Sequence, residues 1–197
     1  MIRWLISGLA VLSTSAAMAV EVPDKPVQWR TATGGNGHWY QAVFVPERIN
    51  WVEAHLRATR RGCGWHLATI AARSEDRFVF GLIANRDKFF VVDSINGPWI
   101  GGFQKNSRNE PAGNWRWVTG LAFRYTNWDG GEPNNNFIAP EELGPGVIQP
   151  SNEDFLHYKR IRNSRGDIPV WNDQPANVLL PGYLIERDDR PCPATVR

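Results

Sequence analysis

The sequence predicts an α+β fold: two stretches have helical apolar spacing, many short β-type runs surround them, and long loops rich in Gly, Pro and Asn separate those runs. The first helix starts from Pro46, which suits a first turn, and repeats Ile49, Val52 and Leu56 at helical spacing. Arg57, Arg60 and Arg61 sit near its C-terminal end, where cations suit the helix dipole, and Gly62 and Gly64 stop it. The second helix begins near Ser74 as N-cap, with Glu75 and Asp76 in its first turn. Its apolar face is Phe78, Val79, Leu82 and Ile83. Short strands are expected over 39–44, 99–103, 115–119, 154–158, 170–171 and 182–186.

With 197 residues, 42% of them apolar, the chain can bury one ordinary core. Most of its ten tryptophans are expected to pack in that core. A formal charge of +2 without a dense basic stripe leaves nucleic acid no footprint. Arg3, the apolar run from Trp4 to Leu12 and the exit Ala17-Met18-Ala19 have the pattern of a secretory signal peptide over 1–19, cleaved before Val20. The alternative is an uncleaved N-terminal anchor. A bilayer needs about 20 apolar residues, and no run here is that long, so the expectation is a secreted or periplasmic protein with no membrane span. In such a compartment Cys63 and Cys192, the only cysteines, are expected to form a disulfide. Two free thiols or an intermolecular link are the alternatives.

The chemistry concentrates in Asn127-Trp128-Asp129-Gly130-Gly131-Glu132-Pro133-Asn134-Asn135, followed by Glu153-Asp154 and Trp171-Asn172-Asp173. Calcium is a hard cation that takes six to eight oxygen ligands. Glu132, Asn134, Glu153, Asn172 and Asp173 all end in carboxylates or amide carbonyls, and no cysteine or histidine stands among them to suit zinc. Singly these residues read as turn formers or solvated carboxylates. Their order along the chain is what distinguishes them. Catalytic patterns are missing: His38, His55, His66 and His157 are scattered, and no GxSxG or P-loop pattern occurs. Glu141 and Glu142 are adjacent in a Pro-rich stretch, which gives no controlled separation for acid–base work.

The series Trp51-Val52-Glu53-Ala54, Gly64-Trp65-His66-Leu67-Ala68-Thr69-Ile70, Trp99-Ile100-Gly101-Gly102, Gly113-Asn114-Trp115-Arg116-Trp117, Glu132-Pro133-Asn134, Trp171-Asn172-Asp173 and Gly182-Tyr183-Leu184-Ile185-Glu186 resembles a C-type lectin domain of the mannose-type Glu-Pro-Asn class. The resemblance covers 29–187, with 20–28 as a linker and 188–197 as a tail. It implies a C-type lectin-like fold of two helices, short antiparallel strands and a long loop region carrying a calcium site. It further implies that Glu132, Asn134, Glu153, Asn172 and Asp173 ligate calcium. Glu132, Asn134, Glu153 and Asn172 would also bind the vicinal 3- and 4-hydroxyls of mannose, glucose, N-acetylglucosamine or fucose, carboxylates accepting and amides donating. Pro133 is then expected to be cis.

Phe155, Ala176 and Ile185 stand where animal members carry cysteines, a cysteine-poor pattern that resembles secreted bacterial members. Asn135, Glu153 and Asp154 match an accessory calcium site, but Ala112 and Arg108 fall where the family places carboxylates, so a single calcium is expected. Residues 137–150 form an insertion that is either a cover over the site or a surface excursion. The segment 159–166 carries Lys159, Arg160, Arg162 and Arg165, either as a solvated hairpin tip or as a contact for acidic glycans. The function expected is calcium-dependent glycan binding without catalysis. The alternative is a protein-binding adhesin or interaction module on the same fold that binds no sugar.

Overall fold

The computed structural model describes residues 20–92, 94–105, 109–135 and 152–188. The expected signal peptide, the 137–150 insertion, Arg108 and Cys192 lie outside the described residues. The expected Cys63–Cys192 pairing and the tail beyond residue 188 are therefore outside them too.

In chain order the strands and helices are β1 (Val22–Pro23), β2 (Val27–Gln28), β3 (Trp39–Ile49), α1 (Trp51–Arg60), β4 (Trp65–Leu67), α2 (Arg73–Gly81), β5 (Asn96–Gln104), β6 (Trp115–Trp117), β7 (Phe155–Asn163), β8 (Gly166–Gln174) and β9 (Leu180–Arg187). They form one sheet in the order β1-β3-β9-β5-β7-β8, with β2 added to β3, β4 to β9 and β6 to β5. The β5–β9 contact, through Trp99 and Tyr183, is parallel, and the other pairings are antiparallel.

Alternation along the central strands buries both faces of the sheet. On β3, Tyr40 and Ala42 enter one core with Val79 and Phe80 of α2 and with Trp115, Trp117 and Trp171. Val43 and Val45 enter a second core with Trp51, Ala54 and Ala58 of α1 and with Trp99 and Ile185. The two largest side chains at the α1 junction clasp reciprocally: Trp51 Nε1 donates to Ile100 O at 2.8 Å and Trp99 Nε1 to Ile49 O at 2.7 Å. Gly182 permits the closest strand approach, since a Cβ there would lie 2.2 Å from Val43 O.

Helix α1 differs from the sequence expectation. It begins at Trp51 because Asn50 supplies a cap, accepting from Glu53 N at 2.9 Å, while Pro46 lies within β3. The buried face is consequently Trp51, Ala54 and Ala58, and the expected face residues Val52 and Leu56 are 47% and 41% exposed. Helix α2 starts one residue before Ser74, with Ala72 as N-cap and no side-chain capping bond. Glu75 and Asp76 lie in its first turn, as expected, and are buried there at 4% and 1% exposure. The strands expected over 154–158 and 170–171 extend into one long hairpin that includes most of the basic segment.

Candidate functional site

The hairpin register positions one half of the expected ligand set. Pairing of β7 with β8 sets His157 opposite Asn172 and Leu156 opposite Asp173. The other half arrives on a loop that adds to β8: Trp171 N donates to Asn127 O at 2.7 Å, Asp129 N to Trp171 O at 2.9 Å, and Trp128 forms a parallel bridge with Trp171. A turn closed by Glu132 N to Asp129 O at 3.0 Å follows, then a cis Glu132–Pro133 peptide, as the resemblance implied.

Asp173 is the centre of this arrangement. Its side chain is fully buried and accepts from Asn134 N at 3.4 Å and Asn135 N at 3.2 Å. Asn135 Oδ1 in turn accepts from Glu153 N at 2.8 Å. The structure thus brings Glu132, Asn134, Asn172 and Asp173 together and ties Glu153 to the same loop. Burial, and then the Asp173 charge, push the Glu132 carboxyl up to about 7, with Lys159 pulling the other way. Burial raises Asp173 as well, against the lowering effect of the backbone N–H groups.

His157 is a positioning residue that the sequence did not disclose. It is wholly buried, and burial pushes its pKa down to about 4, so the ring is neutral at pH 7. Its Nδ1 lies 2.7 Å from Tyr158 O, which can only accept, so Nδ1 carries the proton and Nε2 must accept. Asn172 Nδ2 meets that acceptor at 3.2 Å and also donates to Asp173 O at 2.8 Å. Both amide hydrogens are engaged. Asn172 Oδ1 is therefore buried without a partner, and so is Glu132 Oε2. The signal for His157 was the hairpin register, which becomes countable once the turn at Ser164-Arg165 is known.

Next to these lie Asp154, pushed up to about 6 by burial and then by the charges of Glu110 and Asp173, and Glu110 itself. Asp154 Oδ1 and both Glu110 carboxylate oxygens are buried and unpartnered. Glu110 is a carboxylate beside Asp154 that the sequence did not single out. Beneath the loop, Asp76 accepts from Asn127 Nδ2 at 2.7 Å, Tyr158 OH at 2.7 Å, Trp171 Nε1 at 3.0 Å and Tyr125 OH at 3.1 Å, anchoring the ligand-bearing segments to α2.

An all-oxygen set with buried carboxyls, Glu132 raised by burial and the Asp173 charge, and orphaned oxygens on Glu132 and Asn172 fits a hard cation. Among the described residues no group of three or more His, Cys, Asp or Glu is arranged as a metal cluster. Two of the five expected ligands are Asn, and in this arrangement the Asp173 carboxylate is held by backbone N–H groups. Of the basic segment, Arg160 and Arg162 pair with Asp87 and Asp167, and Lys159 pairs with Asp129 at 2.6 Å.

No family model matches the chain. It is 30% identical over 135 residues to lithostathine of Rattus norvegicus, covering 67% of this chain and 74% of that protein. It is 29% identical over 133 residues to C-type lectin lectoxin-Lio1 of Erythrolamprus poecilogyrus, covering 68% and 72%. Among solved structures, human lithostathine superposes with a TM-score of 0.55 at 18% identity, over 91% of this chain and 99% of that one. A Kupffer cell C-type lectin receptor gives 0.50 at 23%, over 78% and 80%. At these identities the structural likeness speaks to the fold alone.

Proposed function

Because this chain belongs to the C-type lectin-like family, we propose that it is a calcium-dependent lectin in which Glu132, Asn134, Glu153, Asn172 and Asp173 hold the ion. The observation that supports this most is the docking of the 127–135 loop on β8, which sets Glu132 and Asn134 against Asn172 and Asp173 with carboxyl and amide oxygens left over. When bound, calcium would supply coordination for two vicinal sugar hydroxyls and neutralise the crowded carboxylates. The chain's own residues do the rest. Glu132 and Glu153 accept hydrogen bonds from those hydroxyls, Asn134 donates, and His157 keeps the Asn172 carbonyl turned out of the hairpin.

The sugar class proposed is mannose-type, with equatorial 3- and 4-hydroxyls, since Glu132 precedes Asn134. An acidic-glycan contact by the basic hairpin falls mainly to Arg165, because Arg160 and Arg162 are already ion-paired. The proposal includes a signal peptide over 1–19, a domain over 29–187 that the expected 20–28 linker joins through the pairing of β1 and β2 with β3, a Cys63–Cys192 disulfide and a secreted or periplasmic location resembling the bacterial members. Among the described residues no helix is long and apolar enough to cross a membrane. The role is binding and not catalysis: His38 pairs with Glu186, and His157 is buried and neutral.

A second reading, an interaction module that binds no sugar, is favoured by one observation: both Asp173 oxygens and both Asn172 amide hydrogens are engaged within the protein. A glycan array run in calcium and again in EDTA separates the two. Chelator-sensitive signals on mannose-type glycans are expected, and an array without sugar signals in either condition would favour the module.

A further inference from the structure

Away from the calcium loop, the register of β3, β9 and β4 sets Trp39, Arg187 and Trp65 side by side, since Arg187 pairs with Trp39 on one flank and with Trp65 on the other. Cross-strand partners project on the same sheet face. The Arg187 guanidinium accordingly lies 5.6 Å from the Trp39 ring and 5.7 Å from the Trp65 ring. With Pro26 these side chains line a groove of about 220 Å³. Both indoles are half-buried and Arg187 is exposed.

A guanidinium held against aromatic faces keeps its in-plane N–H fork free for a planar anion. Among the described residues no ion pair or hydrogen bond takes up the Arg187 guanidinium. The acids beside it in sequence face elsewhere: Glu186 is buried against His38 and Thr69 N, and Asp188 Oδ2 lies 3.3 Å from His66 Nε2. No side chain lining the groove carries an acceptor for an amine, and apart from the two indole N–H groups its only polar donor is Arg187. Flat apolar rings suit the C–H face of a pyranose, and the fork suits a carboxylate.

We propose that this groove is a second, calcium-independent binding site for an acidic pyranose, the uronate carboxylate on Arg187 and the ring against Trp39 and Trp65. It uses none of the residues assigned to calcium, so it stands or falls separately from the lectin reading.

The test is calorimetry and indole fluorescence on the full chain in EDTA, with a hyaluronan hexasaccharide as probe, maltohexaose as the neutral control and acetate as competitor. The hexasaccharide should bind and quench. Arg187→Gln should weaken it about tenfold, and Arg187→Lys about threefold, because lysine keeps the charge and loses the fork. Trp65→Phe should reduce affinity and quenching together, while Arg165→Ser should change neither. Unchanged binding by Arg187→Gln, a requirement for calcium, or loss on Arg165→Ser would overturn the site. Equal binding of maltohexaose, or displacement by acetate at the same carboxylate concentration, would overturn its assignment to an acidic sugar.

Discussion

Two groups of buried carboxyls in this protein have the same electrostatic problem and solve it differently. On α2, burial raises Glu75 and Asp76, yet their oxygens are met by neutral donors: Tyr158, Trp171, Tyr125 and Asn127 for Asp76, and Tyr40, Asn36 and Ala71 N for Glu75. In the loop region burial also raises Glu132, Asp154 and Asp173, but there Glu132 and Asp154 feel the Asp173 charge, and Glu132 Oε2 and Asp154 Oδ1 are left without donors. A cluster satisfied by neutral donors is closed and holds the fold. On the proposed reading, a cluster whose members repel is one that a cation would complete, a distinction that burial or a raised pKa alone does not draw.

The largest expected effect falls on the closed cluster. Asp76→Ala strands four donors in the core and should cost on the order of 3 kcal/mol in urea unfolding, with or without calcium. Glu132→Gln, at a carboxyl whose Oε2 has no partner, should do the opposite. It removes a repelling charge, so stability in EDTA should hold or rise, while calcium affinity falls at least about tenfold in a titration. Equal stability losses for both variants would erase the distinction between the clusters.

The next effect is pH dependence in EDTA. Glu132 has a folded pKa of about 7, above the ordinary carboxyl value of 4.5. A raised carboxyl contributes stability that is fully present below its unfolded pKa and is lost as pH rises through its folded pKa. The metal-free protein should therefore melt at a lower temperature at pH 8 than at pH 5, with the fall concentrated between the unfolded value of 4.5 and the folded value of about 7 and levelling off above it. Saturating calcium should reverse the slope, because the ion binds the ionised carboxylates. A midpoint independent of pH in EDTA would contradict the crowded-carboxyl account.

A smaller effect is expected at His157. His157→Phe keeps the ring packed near Trp99 but removes the acceptor that orients the Asn172 amide, so calcium affinity should fall about threefold to tenfold with the fold retained. Rescue by His157→Gln, whose side-chain oxygen can accept, distinguishes orientation from loss of packing.

Much of this was legible in the sequence. The α+β class, two helices, the strand series and the cis Glu132–Pro133 turn are all present. The start of α1 was misplaced because Pro46 is tolerated both in a first helical turn and in the irregular stretch of β3, where the register shifts between Phe44 and Ile49. Asn50, a stronger cap, was the better signal. The burial of Glu75 and Asp76 was not legible because their donors come from residues up to 95 positions away. His157 stayed hidden for the same reason, since its role exists only once β7 and β8 pair in register.

The central claim, that the carboxyl and amide oxygens of the 127–135 loop and β8 form a calcium site, is tested most directly by calorimetric titration of calcium at pH 7 in two buffers of different ionisation enthalpy. Glu132, pushed up to about 7, is part-protonated at pH 7, and that proton must leave when the ion binds. The account predicts a saturable calcium heat whose buffer dependence reports release of a proton fraction on the order of one half to one per ion, and the loss of both in Asp173→Asn. No calcium heat, or binding that releases no proton and survives Asp173→Asn, would contradict it.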